Sequence, residues 1–175
     1  MSARPKKEQN KEGVITIRTE EWREYLSLHP ELVALNKESA LKKRIIQSKN
    51  ISQENEQQIL AECDDSLKIL LLQFFKDLYH NFGGQQTEYS PLGPSHESYC
   101  GLSCKITWKD GSVSSGIGDA HSNNCNSFAK FYCGPIAENR SFIRAVKQKF
   151  NIPLLGKDEI NDNASYQEDI TLNGS

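Results

Sequence analysis

The chain has 175 residues, 37% apolar and 25% charged, with 21 Lys and Arg against 23 Asp and Glu, enough for one ordinary core and too few for two. No run approaches the roughly 18 to 20 apolar residues that cross a bilayer, and Arg4, Lys6, Lys7 and Lys11 lead into polar residues, unlike a secretory signal, so a cytoplasmic location (host cytoplasm if viral) is expected. The small net charge conceals a segregation: residues 100–150 carry seven basic and three acidic groups, residues 151–175 one basic and five acidic, a basic module before an acidic tail.

In chain order, residues 1–13 are polar and basic and read as a disordered arm. Residues 14–65 read as a helical N-terminal subdomain. A short strand is expected over Val14 to Arg18, then a helix starting at Thr19 with Trp22, Tyr25 and Leu26 on one face. Leu32, Val33, Leu35, Leu41 and Ile45 predict helix with a break near Asn36, where Ser39 would start another, and Ser52 marks the next helix start. From Asp65 to Asn81 the spacing of Leu67, Leu70, Leu71, Phe74, Phe75 and Leu78 predicts the main core helix, stopped by Phe82-Gly83-Gly84. The Pro, Gly and Ser content of 85–98 predicts an irregular loop.

Cys100, Leu102, Cys104, Ile106 and Trp108 alternate with smaller or polar residues and predict a strand. Asp110-Gly111 predicts a two-residue turn with both residues at positive φ, the returning strand carrying Val113 opposite Trp108. After a break at Gly134-Pro135 a helix is predicted from Ile136 to Phe150. The expected fold is α+β: a small antiparallel sheet, its hairpin at about 99–118, between a preceding and a following helix in a core of residues 66–157, with 158–175 a disordered acidic tail. No repeat or heptad array is present.

Chemistry concentrates on the last helix. Arg140, Arg144 and Lys147, spaced i, i+4 and i+7, predict one basic stripe of the kind that tracks phosphates, which Lys105, Lys109, Lys130 and Lys149 would extend. The competing explanation is an ordinary solvated helix face. The five cysteines are expected to be reduced, mostly buried thiols without a structural disulfide. A zinc site built from His96, Cys100, Cys104, His121, Cys125 and Cys133 is disfavoured, because strand positions four apart lie about 13 Å apart and no C-x-x-C pair is present. Gly116-Ile117-Gly118 lacks the third glycine and the βαβ setting of a dinucleotide turn. No spacing of Ser112, Ser114, Ser115, Asp119, His121 or Glu138 predicts a catalytic triad, so no catalytic residue, metal or cofactor is expected and the protein is not expected to be an enzyme. Asp119 reads as a cap on the following helix, and Trp22 and Trp108 as core.

The run Leu102 to Ala120, with Trp108-Lys109-Asp110-Gly111-Ser112 and Gly116-Ile117-Gly118-Asp119-Ala120, followed by Ala137-Glu138-Asn139-Arg140 and Arg144-Ala145-Val146-Lys147, resembles the single-strand annealing proteins of phages and of eukaryotic recombination. The resemblance covers about residues 66–160. It implies a hairpin ending in a glycine-containing strand, then a long helix whose basic residues line a groove for DNA, with Arg144 and Lys147 at the family's contact positions and Arg140 matching the phage version. The implied function is non-enzymatic single-stranded DNA binding and strand annealing, with DNA as partner and a homo-oligomer compatible with it; the acidic tail, read from its charge alone, is either a solvated end or a segment that competes with nucleic acid for the basic stripe and recruits a protein partner. Two departures stand out: the Cys-, Asn- and Gly-rich stretch Ser122 to Gly134 interrupts the helix, and strands are fewer than is usual. Two other functions fit the residues, a protein-interaction or regulatory protein without nucleic-acid activity, and a double-stranded RNA-binding module, which shares the order helix, sheet, helix.

Overall fold

The computed structural model describes residues 21–94, 99–125 and 132–160. The predicted strand at Val14 to Arg18, the basic arm and Lys130 lie outside the described residues. The fold is α+β with two three-stranded sheets.

The first described helix, α1, covers residues 21–28, and it buries Trp22 completely with Tyr25 and Leu26 packed beside it. Beyond it the chain departs from the helical expectation. Pro30–Leu32 is a 3-10 turn and Val33–Leu35 is a strand, β1. Its partner β2, Lys68–Leu70, follows a 3-10 turn at Asp65–Leu67 and pairs with it antiparallel, Val33 opposite Leu70 and Leu35 opposite Lys68. Both segments carry helix-spaced leucines. Three-residue strands are too short to show a period of their own, so long-range pairing overrides the local pattern. Between them lie α2, Lys37–Lys42, capped by Asn36 accepting from the Ser39 amide, and α3, Gln53–Glu62, capped by Ser52 as predicted. Leu35, Ala40, Ile46 and Leu67 form a small core beneath them.

Helix α4, Leu72–Asn81, buries Phe74, Phe75 and Leu78 and stops before Gly83, whose φ of +98° suits a residue without Cβ. The first half of the expected loop then proves to be strand: β3, Gly84–Pro91, pairs antiparallel with β4, Tyr99–Trp108, Glu88 opposite Lys105 and Tyr89 opposite Cys104. β3 is an edge strand with most of its residues exposed, so its sequence has no apolar alternation to read, and Pro91 sits at its end, where a missing donor costs nothing. β5, Val113–His121, completes a β3-β4-β5 meander. The hairpin register differs from expectation by one place. Thr107 faces Val113, while the Trp108 N–H donates to the Ser112 carbonyl and the Gly111 N–H to the Trp108 carbonyl. Only Gly111 has positive φ, +87°, which makes a three-residue loop in which Asp110 stays on the ordinary side and its carboxylate accepts from the Ser112 amide.

Helix α5, Cys133–Phe150, has Pro135 in its first turn and ends at Asn151 in the left-handed region, φ 54°. It and α4 cover the same face of the meander: Cys104, Ile106 and Trp108 from β4 pack with Phe74, Phe75 and Leu78 of α4 and Phe142, Ile143, Val146 and Phe150 of α5. The chain then returns to the first sheet. β6, Leu155–Gly156, runs parallel to β2, and Lys157–Glu159 forms a 3-10 turn. The acidic tail predicted from 158 therefore begins with three ordered residues, and residues 161–175 lie outside the described set. Cys100, Cys104, Cys125 and Cys133 are buried and Cys63 half-buried. Among the described residues no helix is long and apolar enough to cross a membrane.

Candidate nucleic-acid interface

The junction of β5 and α5 is built from small residues. Ser114, Gly116, Gly118 and Ala120 alternate along β5, and Ala137, Ser141 and Ala145 recur every four residues along α5. A Cβ at Gly116 would lie 2.4 Å from the Ala145 nitrogen and 2.6 Å from the Ser141 carbonyl, and one at Gly118 would lie 2.4 Å from the Ser141 nitrogen and 2.7 Å from the Ala137 carbonyl. Real side chains do not approach this closely, so the helix rests on the bare backbone of the strand. Trp108, directed inward from β4, donates from its indole to Ser114 Oγ at 2.9 Å, which satisfies both buried polar groups.

That close approach decides where the cations go. Arg140 is only 4% exposed. Its guanidinium donates to four main-chain oxygens: Nε to Asp158 at 2.7 Å, Nη1 to Asp119 at 2.8 Å, and Nη2 to Asn124 at 2.7 Å and Ile160 at 3.4 Å. One turn on, Arg144 donates Nη1 to the Ile117 carbonyl at 2.7 Å and Nε to Glu159 Oε2 at 3.0 Å. Lys147 Nζ reaches the other oxygen of the same carboxylate at 2.9 Å. Gln148 accepts from the Ser115 amide at 2.6 Å. Arg140, Arg144 and Gln148 thus occupy successive turns of α5 and bond the outer edge of β5.

The expected open stripe is therefore corrected. Arg140 is an internal tie, and Arg144 and Lys147 share one carboxylate from the returning chain, because the short β6 pairing brings Glu159 beneath them. The Glu159 side chain is 5% exposed. Burial pushes its pKa up, but the Gly156 amide, Lys147 and Arg144 outweigh that and hold it below the ordinary carboxylate value. Arg144 keeps 40% of its side chain in solvent and Lys147 18%.

Of the remaining candidates, Lys105 is exposed on the outer face of β4 between Glu88 and Ser115, and Lys109 is exposed in the hairpin loop, its amide donating to the Gly83 carbonyl. Lys149 is largely withdrawn: its Nζ lies 2.6 Å from Asp110 Oδ2, 2.5 Å from Ser112 Oγ and 5.4 Å from the Trp108 ring centre. Burial raises the Asp110 pKa, yet the hydrogen bonds from Lys149 and Ser112 hold it well below the usual carboxylate range. Asp119 does not cap α5, whose N-cap position is Tyr132; it lends its carbonyl to Arg140 and Asn124, and its carboxylate lies 3.9 Å from His121. Among the described residues no three His, Cys, Asp or Glu side chains gather as a metal site.

Sequence reasoning missed Glu159, Gln148 and the small-residue seam. The seam was readable in principle, since a period-two run of small residues followed by a period-four run is what backbone contact between strand and helix requires. Comparisons with protein families, curated proteins and solved structures find no match to this chain.

Proposed function

We propose that this protein binds single-stranded DNA and anneals complementary strands without catalysis, holding the backbone at the β5–α5 corner and leaving bases free to pair. The observation that supports this reading is that the two stretches of the resemblance, Leu102 to Ala120 and Ala137 to Lys147, interlock as a single unit. Gly116 and Gly118 are seated on Ala137, Ser141 and Ala145, with Arg144 and Lys147 at its edge. The contact set is Arg144 and Lys147 at that edge with Lys105 and Lys109 on the exposed strand and loop; Arg140 is left out because its guanidinium is buried.

The order α4, β3, β4, β5, α5, with both helices on one sheet face, favours a second reading, a double-stranded RNA-binding module. Such modules bridge two minor grooves and the phosphates between them. Among the described residues the first turn of α5, Cys133, Gly134, Pro135 and Ile136, carries no cation for those phosphates, and for that reason we put the single-strand reading first.

Fluorescence anisotropy with a thirty-nucleotide oligo-dT and with a duplex RNA of about 16 base pairs, each over a salt series, tests both. Binding should weaken with salt. The double variant Lys105→Ala/Lys109→Ala, exposed and harmless to the fold, should lower affinity about tenfold and flatten the log–log salt slope by about 1.4, at about 0.7 per lost single-strand phosphate contact. The wild type should also accelerate annealing of complementary oligonucleotides. Tighter binding to duplex RNA would transfer the assignment to the second reading, and no binding at low salt would end both.

A further inference from the structure

A single carboxylate, that of Glu159, receives Arg144 Nε at 3.0 Å, Lys147 Nζ at 2.9 Å and the Gly156 N–H at 2.9 Å. A guanidinium and an ammonium converging on paired oxygens are the charged donor pair that grips a nucleic-acid phosphate, while the Gly156 amide belongs to the turn itself and is satisfied by the turn's own carboxylate. Here that pair is filled by the protein's own chain, on a 3-10 turn of only three residues, Lys157–Glu159. A turn that short has little cooperativity of its own. The flanking carbonyls of Asp158 and Ile160 are held separately by Arg140, so the segment stays attached when the carboxylate lets go.

We infer that Glu159 occupies in the free protein the place a DNA phosphate takes in the complex, making Gly156–Ile160 an internal competitor that sets affinity. The inference rests on the single-strand reading above. Its physical content is an exchange. Phosphate replaces carboxylate on Arg144 and Lys147, and the displaced carboxylate takes up a cation from solution as the DNA gives up its own, so net counterion release is smaller and the wild type shows a shallower salt dependence than its contact number implies. The device holds nonspecific binding in check while leaving the pair poised for a polyanion that engages Lys105 and Lys109 at the same time.

The experiment compares the full-length wild type, Glu159→Gln and the control Glu138→Gln, which removes an exposed acid from α5, using oligo-dT anisotropy across salt. Glu159→Gln is expected to bind about tenfold tighter with a slope steeper by about 1, approaching two further contacts at about 0.7 each, whereas Glu138→Gln changes affinity less than twofold. A folded Glu159→Gln that binds no tighter, or an equal gain from Glu138→Gln, overturns the inference while leaving the DNA reading standing. Failure of wild type and variant alike to bind oligo-dT at low salt removes the DNA reading itself. Should Glu159→Gln not fold, hydrogen exchange on the wild type decides: the Gly156 amide is expected to lose protection when oligo-dT saturates the protein, and unchanged protection refutes the exchange.

Discussion

Arg140 shows how a charge pattern on a helix misleads when the partners are main-chain atoms. Its i, i+4 spacing with Arg144 suggests a solvent-facing ridge, but Gly116 and Gly118 let α5 sink onto β5 until that ridge meets the strand's free carbonyls. Nothing local to α5 announces this. Removing the guanidinium leaves half-buried oxygens without donors, each costing up to about 1–3 kcal/mol where water cannot follow. Arg140→Met, which keeps the apolar stem, is expected to destabilise the protein by about 3 kcal/mol and to lower its melting temperature by about 10 °C, read by circular dichroism. A melting temperature within 2 °C of wild type would show that solvent serves these carbonyls as well. Arg144 and Lys147 were legible as neighbouring cations on one side of the last helix, but not their shared counterion, because Glu159 belongs to a stretch whose composition reads as tail.

Among the elements, the β5–α5 seam carries the strictest steric demand. A methyl group at Gly118 would overlap main-chain atoms of Ser141 and Ala137, which cannot swing aside as a side chain can. Gly118→Ala should force the helix outward and cost about 3 kcal/mol, whereas Gly134→Ala, with nothing within 4 Å and a helical position, should be neutral or stabilise by about 0.5 kcal/mol. Thermal melts of the two variants side by side check the contrast; equal effects would mean that the seam yields. The two helices that frame the sheet and its central hairpin were readable because they are long enough for a period to show and half-buried enough for it to matter. β3 was not, since an edge strand facing water obeys no apolar alternation, and β1 and β2 were not, since their pairing partner, not their own sequence, makes them strands.

Across the whole molecule, two acids tie distant parts together. Asp110 fixes the hairpin loop to Lys149 near the end of α5, and Glu159 fixes the returning chain to Arg144 and Lys147. Both have folded-state pKa values depressed below the roughly 4 expected in the unfolded chain. Their contribution is thus complete above the unfolded value and is lost as pH falls through the folded one, when protonation removes the anion the cations need. Melting temperature should be flat from pH 7 to about 5 and drop steeply below about 4, and the double variant Asp110→Asn/Glu159→Gln should start lower but fall less. A parallel decline would place the acid sensitivity elsewhere. The first sheet takes part in the same closure, because β6 joins residues 155–156 to β2, linking the N-terminal helices to the end of α5.

The four oxygens around Arg140 come from Asp119, Asn124, Asp158 and Ile160, and a peptide oxygen survives any change in the side chain next to it. For this knot, the identity of those four residues is almost irrelevant and the identity of one arginine is almost everything. A change of side chain at Asp119 or Ile160 therefore leaves the knot tied, and a saturation library should show an intolerant column at 140 and permissive ones at 119 and 160.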